Sequence, residues 1–290
     1  MIHVLVTGAN GQLGQSLKEI SIAYPEIKFH FKDSEDLDIT KAQSVRAAFE
    51  SFSYEYCINC AAFTAVDRAE TESENAFLVN SEGVKLLAIA CKQQNTILIH
   101  ISTDFVFDGL KNTPYNELDI SNPINVYGAS KLAGENHVKS ILDSYFIIRT
   151  SWLYSEFGNN FLKTMIRLSS EKKELRIVND QIGTPTYAKD LAKAIIHIVI
   201  SKSKDYGIYH YSNEGAVSWH EFANAIFELS QSKIETKGIS TDNYPTLAKR
   251  PKYSVLSKNK IKRKLGLITF HWRDSLEDAV SIIFGNQKIQ

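Results

Sequence analysis

The sequence predicts an α/β fold built on a doubly wound parallel sheet, followed by a smaller C-terminal α/β region. Short apolar runs (HVLVTG, IKFHF, YCINCAA, ILIHIST, SYFIIRTSW) alternate with amphipathic stretches such as QLGQSLKEISIAY, AQSVRAAFESF and ENAFLVNSEGVKLLAIACKQ. Strands that alternate with helices form parallel sheets through right-handed crossovers, with helices on both faces. A glycine-rich loop, TGANGQLG, directly follows the first apolar run. Together these features indicate a fold of the Rossmann type.

Composition and charge exclude several classes of protein. The 290 residues carry 33 basic and 33 acidic side chains, so no overall field would attract nucleic acid or an anionic membrane. The chain begins with a strand-like run instead of a signal peptide, and no stretch has membrane-spanning length. We therefore expect a cytoplasmic protein that binds neither nucleic acid nor membrane.

Cysteine usage indicates neither a disulfide framework nor a metal site. There are three cysteines, of which Cys57 and Cys60 form a Cys-x-x-Cys pair. A zinc site would need a second pair or suitably spaced histidines, and residues three apart point to opposite faces of a strand. We expect small core residues here and no metal.

The glycine loop has the context of a dinucleotide-binding site. Gly8, Gly11 and Gly14 lie between the first strand and the first helix, where the backbone approaches a pyrophosphate and the helix N-terminus offers free N–H groups. The spacing is Gly-x-x-Gly-x-x-Gly, and the strand before it and the helix after it support the prediction. NADH or NADPH is the expected cofactor.

The end of the second strand leaves the choice between these two cofactors open. Asp33 lies where an acidic residue binds the adenosine ribose hydroxyls and favours NAD. Lys32 precedes it and would suit the additional phosphate of NADP. Asp38 is a candidate acceptor for the adenine amino group, although an aspartate before a threonine is equally typical of a helix cap.

The order of these signals predicts two regions. Residues 1–150 contain the regular alternation and the glycine loop, and are expected to form the NAD(P)-binding domain. After residue 150, polar loops such as NDQIGTPTY separate less regular elements. Residues 151–290 are expected to bind mainly the substrate, with segments that return to the first domain.

The segment VYGASKLAGE places a tyrosine and a lysine one helical turn apart. Tyr127 and Lys131 would lie on the same face of a helix that begins near Tyr127. One interpretation is chance spacing of a packed ring and a solvated amine. The other is that the cation lowers the pKa of the phenol and makes it an acid and base near neutrality.

Several motifs in one order mark a resemblance that decides between these interpretations. TGANGQLG, NCAAFTAVDRAE, HISTDFVFDG and YGASKLAGE resemble the extended short-chain dehydrogenase/reductase family. RTSWLYSEFGNNF, NDQIGTPTYAKDLA and AKRPKYSVLS extend the resemblance over nearly the whole chain, to family members that reduce the 4-keto group of a deoxythymidine-diphosphate (dTDP) sugar. A small-molecule dTDP sugar is therefore the implied substrate.

The resemblance implies a catalytic trio of Thr103, Tyr127 and Lys131. Lys131 would hold the nicotinamide ribose and bias the phenol, Tyr127 would give its proton to the sugar oxygen, and Thr103 would hydrogen-bond that oxygen. Asn80 matches an asparagine that supports the lysine through a relay; a buried amide satisfied by the backbone is the alternative.

The resemblance also implies two sets of binding residues. Around the cofactor, besides the glycines, it implies Gln12 and Leu13 in the loop, Asp38 and Ile39 at the adenine, and Ala62, Phe63 and Thr64 after the fourth strand. Around the substrate it implies Thr103, Asp104, Trp152, Asn160 and Arg250. Trp152 would pack against the sugar, or belong to the core. Arg250 offers a fork of donors to the pyrophosphate.

Two departures from the family pattern affect specificity and assembly. Phe105 stands where STDYVF is the commoner form, so one hydroxyl near the site is missing. Gln15 and Lys189 occupy places where some members have acidic residues that bind a divalent ion between subunits. We expect a monomer or a homodimer that needs no metal.

Two alternatives to the 4-keto reductase remain. Another nucleotide-sugar ketoreductase or an epimerase would use the same trio on the same fold. A non-catalytic regulatory subunit, like the reductase-like partner of some methionine adenosyltransferases, would keep the fold and act by binding another enzyme.

Overall fold

A parallel sheet forms the centre of the computed structural model, which describes residues 1–285. Residues 286–290 of the predicted C-terminal region lie outside the described residues. The six strands of the sheet are, in chain order, β1 (Ile2–Thr7), β2 (Ile27–Lys32), β3 (Tyr56–Asn59), β4 (Ile97–Thr103), β5 (Tyr145–Thr150) and β10 (Gly207–His210). They lie in the spatial order β2-β1-β3-β4-β5-β10, and every neighbouring pair is parallel.

Helices connect the strands of this sheet. They are α1 (Gln12–Ile20), α2 (Ala42–Ser51), α3 (Val66–Thr71), α4 (Ser73–Phe77), α5 (Val84–Gln94), α6 (Val126–Ile141) and, before β10, α8 (Ala188–Ser201). The single helix expected through residues 74–93 is interrupted by a π-helix, Leu78–Gly83, between α4 and α5. Gly83, the last residue of this π-helix, packs against Ile39: a Cβ atom at Gly83 would lie 2.9 Å from Ile39 Cγ1. Short 3₁₀ turns lie at Ser21–Ala23, Asp104–Val106 and Thr241–Asn243.

The rest of the chain after β5 forms small sheets and a second group of helices. The strands are β6 (Leu153–Tyr154), β7 (Glu174–Val178), β8 (Ile182–Gly183), β9 (Thr186–Tyr187), β11 (Val217–Ser218) and β12 (Glu235–Ile239). They pair as β6 with β9, β7 with β12 and β8 with β11. The helices are α7 (Phe161–Glu171), α9 (Trp219–Leu229), α10 (Asn259–Leu265) and α11 (Trp272–Ile283). The Ser218–Glu221 capping box is present at the start of α9.

Three apolar clusters correspond to this arrangement. One covers the face of the main sheet that carries Ile58 and includes α8; a second covers the opposite face, which carries Cys57. Cys60 packs at the edge of the first cluster, so the two cysteines lie on opposite faces, as the period of a strand requires. A third cluster joins α7, α9 and α11. No helix within residues 1–285 combines the length and the apolar character needed to cross a membrane.

The direction of the connections changes at β1. The chain passes from β1 to β2 on one side, then returns to place β3 on the other side. Loops that leave the carboxyl ends of such neighbouring strands diverge and leave a crevice, which is where ligands bind in open α/β sheets. The crevice of this protein therefore lies between the loops that follow β1 and β3.

Candidate active site

A cavity of about 610 Å³ occupies this crevice. The predicted site residues that line it are Gly11, Gln12, Leu13, Ala62, Thr64, Thr103, Asp104, Tyr127, Lys131, Trp152, Asn160 and Arg250. Those outside the lining are Gly8, Gly14, Asp33, Asp38, Ile39 and Phe63. Segments far apart in the sequence thus meet at one cavity.

The glycine loop has the shape required for a pyrophosphate. Gly8 has φ +66°, and a Cβ atom there would lie 2.6 Å from the backbone nitrogen of Ala61. At Gly14 a Cβ atom would lie 2.5 Å from the carbonyl oxygen of Gly8. These two glycines allow the loop to pack tightly, while Gly11 faces the cavity at the N-terminus of α1, where no side chain caps the helix. The uncapped N–H groups fit an anionic group of a dinucleotide.

The side chain of Asp33 lies beside this loop at the end of β2. Asn10 Nδ2 donates to Asp33 Oδ2 at 2.7 Å, and Oδ1 accepts from the backbone N–H groups of Glu35 and Asp36. Hydrogen bonds from Asp36 and Glu35 lower the pKa of this carboxyl. Asp33 is therefore a charged acceptor next to Asn10, which itself lines the cavity.

Asp38 and Ile39 form a turn before α2. Asp38 Oδ1 accepts from the backbone nitrogen of Thr40 at 3.0 Å and from its hydroxyl at 2.6 Å, and Lys41 lies 2.9 Å from Oδ2. The N-cap position of α2 is Lys41, so Asp38 is not the helix cap that its sequence context also suggested. Ile39 is buried.

The loop after β3, the third strand of the chain, contains Ala62, Phe63 and Thr64. The expectation that these residues follow a fourth strand was therefore wrong. The fourth strand, β4, lies next to β3 on the side away from β1, and Thr103 is its last residue. Asn80 holds this segment by accepting from Phe63 N at 2.8 Å and donating to Phe63 O at 3.0 Å. It also donates to Ser130 Oγ in α6. The buried amide is thus satisfied by the backbone and Ser130.

Tyr127 lies in the first turn of α6, with its ring near Phe105. Asn125 caps the helix by accepting from Gly128 N at 2.7 Å. Burial raises the pKa of Tyr127 to about 12, the nearby Thr103 hydroxyl counteracts part of this rise, and the negative charge of Asp104 adds to it. The pKa thus shifts opposite to the expected lowering by Lys131, because desolvation is the largest influence on this phenol.

Lys131 is buried one turn further along α6. Its Nζ donates to the carbonyl oxygen of Ile101 at 2.6 Å. Burial lowers the pKa of Lys131 to about 8, while the negative charge of Glu135 opposes this shift. The amine thus donates to the backbone of β4.

Asp104 lines the cavity with a buried carboxyl group. The residue is 1% exposed, its Oδ1 accepts from the Thr103 hydroxyl at 3.1 Å, and its Oδ2 is buried without a hydrogen-bond partner among the described residues. Burial raises the pKa of Asp104 to about 6, and the nearby Ser254 and Thr103 hydroxyls counteract part of this rise. A buried acceptor without a partner is unfavourable unless a ligand supplies a donor.

Trp152 forms part of an aromatic wall that the sequence alone did not reveal. Its backbone has φ +46°, which is strained for a residue with a side chain. Its ring stacks on Trp219 with centroids 3.5 Å apart, and a Cβ atom at Gly183 would lie 2.5 Å from the indole. Trp219 also lines the cavity. Trp219 lies between Ser218 and Glu221, whose spacing marks the start of a helix and gives no sign of a ligand site.

Asn160 and Arg250 line the cavity but already have partners. Asn160 caps α7 by accepting from Lys163 N, and its Nδ2 donates to Gln12 Oε1 at 2.9 Å. Arg250 forms a fork-shaped ion pair with Asp67, a residue that the sequence had not singled out. No cluster of three or more His, Cys, Asp or Glu side chains suited to a metal occurs in the part of the chain that the structure describes.

The fold, the glycine loop and the Thr103, Tyr127 and Lys131 side chains on one cavity define an extended short-chain dehydrogenase/reductase. Residues 2–283 match the family model described as RmlD substrate binding domain. A dTDP-4-dehydrorhamnose reductase of Aggregatibacter actinomycetemcomitans is 42% identical, with 96% of this chain and 98% of that protein covered. The chain therefore belongs to the dTDP-4-dehydrorhamnose reductase family.

Two crystal structures support this assignment. A dTDP-4-dehydrorhamnose reductase of Clostridium acetobutylicum has a TM-score of 0.94 and 40% identity, covering 98% of this chain and 100% of that one. The Bacillus anthracis dTDP-4-dehydrorhamnose reductase in complex with NADP has a TM-score of 0.91 and 42% identity, covering 96% of this chain and 99% of that one. The predicted fold class is thus confirmed.

The aromatic wall leads to a prediction about Gly183. We expect Gly183→Ala to displace the Trp152 ring, because the added methyl group would lie 2.5 Å from the indole. The near-ultraviolet circular dichroism, which reports tryptophan packing, should change while the far-ultraviolet spectrum is kept. In a Trp219→Ala background, Gly183→Ala should change the spectrum less, since the stack is already lost. Equal changes in both backgrounds would contradict the coupling.

Proposed function

We propose that this protein reduces the 4-keto group of dTDP-4-dehydro-6-deoxy-L-mannose to give dTDP-L-rhamnose, with NADH or NADPH as the reductant. The main support for this proposal is that Thr103, Tyr127 and Lys131 line the same cavity as the glycine loop. The relatives named dTDP-4-dehydrorhamnose reductase, and the NADP complex of one of them, support the substrate and the cofactor. This is an NAD(P)H-dependent oxidoreductase reaction.

The cofactor would lie along the carboxyl edge of the sheet. The uncapped N-terminus of α1, with Gly11, Gln12 and Leu13, would hold the pyrophosphate, Asp33 with Asn10 the adenosine end, and Lys131 the nicotinamide ribose. A bound reduced nicotinamide supplies hydride to the carbonyl carbon of the sugar. Ala62 and Thr64, in the loop after β3, would border the bound cofactor.

Tyr127 would give its proton to the oxygen of the sugar. With a pKa of about 12, the phenol is protonated across the neutral range, which is the state that a proton donor needs. The Thr103 hydroxyl would hydrogen-bond the same oxygen. When Lys131 leaves the Ile101 carbonyl to bind ribose hydroxyls, its charge would stabilise the phenolate that proton transfer produces.

The sugar nucleotide would occupy the side of the cavity formed by the later part of the chain. The free Oδ2 of Asp104 would accept from a sugar hydroxyl, and Trp152 would pack against an apolar face of the sugar. Arg250 would bind the doubly charged pyrophosphate, and Asn160 would contribute by holding Gln12 and the start of α7. Beside Tyr127, Phe105 gives the cavity an aromatic ring without a hydroxyl.

We also propose that the protein is a monomer, or a homodimer that needs no divalent ion. Lys189 donates to Glu19 at 2.8 Å, and Gln15 donates to the backbone oxygen of Asn10. Neither side chain is a carboxylate ligand for a hard cation. Sedimentation should give the same mass with and without EDTA, and dissociation on chelation would contradict this proposal.

The role of Tyr127 is tested by Tyr127→Phe, which keeps the ring and removes the proton donor. We expect the turnover number to fall by about 10²- to 10⁴-fold while cofactor binding is kept. Lys131→Met should impair both turnover and cofactor binding, because the amine is proposed to bind the nicotinamide ribose and to stabilise the phenolate of Tyr127. Oxidation of NADPH with the dTDP-4-keto sugar, together with NADPH titration, measures both effects. Unchanged turnover in Tyr127→Phe would exclude this mechanism.

The raised pKa of Asp104 predicts that the pH profile of kcat/KM has an acid limb, in which activity falls as the pH falls. Because burial raises this pKa to about 6, the carboxylate gains a proton as the pH falls through that value and accepts less strongly from the sugar. We expect kcat/KM for the sugar nucleotide to fall about tenfold for each pH unit below the pKa. Asp104→Asn should lower kcat/KM and remove the limb.

Glu117→Gln is the matched control for this profile. Burial also raises the pKa of Glu117, which accepts from His210 N and does not line the cavity. The acid limb should persist in this variant. Persistence of the limb in Asp104→Asn would instead show that another group is responsible.

A further inference from the structure

The ion pair between Asp67 and Arg250 joins α3 to the segment that ends at Arg250. Arg250 Nη2 donates to Asp67 Oδ2 at 2.7 Å, and Nη1 donates to Oδ1 at 3.2 Å. We propose that Asp67 is a positioning residue that holds the Arg250 guanidinium so that one of its edges faces the pyrophosphate of the sugar nucleotide. This inference rests on the proposed function, because it takes the ligand of Arg250 to be a nucleoside diphosphate group.

Some N–H donors of the Arg250 guanidinium already bind protein acceptors, and within the described part of the chain the others lie free on one edge of the group. Nη1 also donates to the carbonyl oxygen of Ala248 at 3.1 Å, so three of the five N–H groups have protein acceptors. The remaining two, on Nε and Nη2, lie side by side on one edge of the planar group, and no acceptor contacts Nε within residues 1–285. Two parallel donors on one edge match two phosphate oxygens.

Asp67 holds the backbone of this segment as well as the side chain. The Ala248 N–H donates to Asp67 Oδ1 at 3.1 Å, and Asn125 at the start of α6 donates to the carbonyl oxygen of Lys249 at 2.8 Å. The hydrogen bond from Arg250 is the main cause that lowers the pKa of Asp67, so the carboxylate is charged at neutral pH. One acidic side chain thus determines both the course of the chain and the orientation of the guanidinium.

The position of Arg250 makes this orientation important. The residue lines both the cavity described above and a neighbouring, more apolar cavity of about 410 Å³. Its side chain is 23% exposed, so an untethered guanidinium has solvent-filled space to enter. Because Arg side chains lose much rotational freedom when they bind, a fork held in advance by Asp67 lowers the entropic cost of binding the diphosphate.

Calorimetric titration with dTDP, and separately with NADPH, tests the inference. Asp67→Asn keeps an oxygen for the Ala248 N–H but can no longer accept both guanidinium donors. We expect its affinity for dTDP to fall about tenfold, the effect of losing one charge-assisted hydrogen bond, with NADPH affinity unchanged. In turnover assays KM for the sugar nucleotide should rise by a similar factor while kcat is kept. Tighter dTDP binding would overturn the inference, since Asp67 would then be a competitor of the ligand.

A double-mutant cycle separates positioning from a general structural role. Arg250→Lys keeps the charge but has no fork, so Asp67→Asn should cost less than about twofold in dTDP affinity in that background. A cost as large as in the wild type would overturn the inference. The matched control is Glu72→Gln, which weakens the exposed Arg68–Glu72 pair at the end of the same helix and should leave dTDP affinity unchanged. A loss in Glu72→Gln equal to that in Asp67→Asn would assign the effect to α3 stability.

Arg250→Ala distinguishes failure of this inference from failure of the proposed function. If Arg250→Ala loses dTDP affinity and Asp67→Asn does not, Arg250 binds the nucleotide without help from Asp67, and only the inference is wrong. If Arg250→Ala binds dTDP as the wild type does, the assignment of Arg250 in the proposed function is wrong, and the inference falls with it.

Discussion

The close approach of Gly8 to Ala61 is the constraint on which the cavity depends. No side chain fits between the loop after β1 and the loop after β3, because a Cβ atom at residue 8 would lie 2.6 Å from Ala61 N. The two loops are in contact where they begin, because β1 and β3 are neighbouring parallel strands, and they diverge further on. Once they are in contact, the N-terminus of α1 and the segment around Ala62 border the same crevice, and the ends of β4 and β5 complete it.

A buried ion pair holds the reacting side of the cavity in place. Glu135, one turn after Lys131 on α6, accepts from Arg149 of β5 and from Ser102 of β4, and both charged side chains are almost fully buried. Desolvation offsets much of the attraction in such a pair, so its main effect is to specify how α6 packs on the sheet. That packing buries Lys131, and burial lowers the pKa of its amine and raises the pKa of the Tyr127 phenol.

The short helix α3 connects the two sides of the cavity. Asp67 in its first turn binds Arg250 and the backbone at Ala248, and Glu70 one turn later accepts from the backbone nitrogen of Val126 at the start of α6. The proposed sugar-nucleotide side and the proposed proton donor therefore share one support. Both sides are thus anchored to α3 by carboxylates one turn apart.

The alternation of strands and helices, the glycine loop and the Tyr127–Lys131 spacing could be predicted from the sequence, because period, glycine context and motif spacing are local properties. Thr103 and Arg250 became candidates through the resemblance of their motifs, STDF and AKRPKYSVLS, to those of a known family. What surrounds these groups depends on the tertiary structure. Burial, which depends on the whole fold, raised the pKa of Tyr127 against the local effect expected from Lys131. The Trp152–Trp219 stack and the Asp67–Arg250 pair join residues separated by 67 and 183 positions, and no local pattern specifies such contacts, because they arise only when the later part of the chain packs onto the sheet.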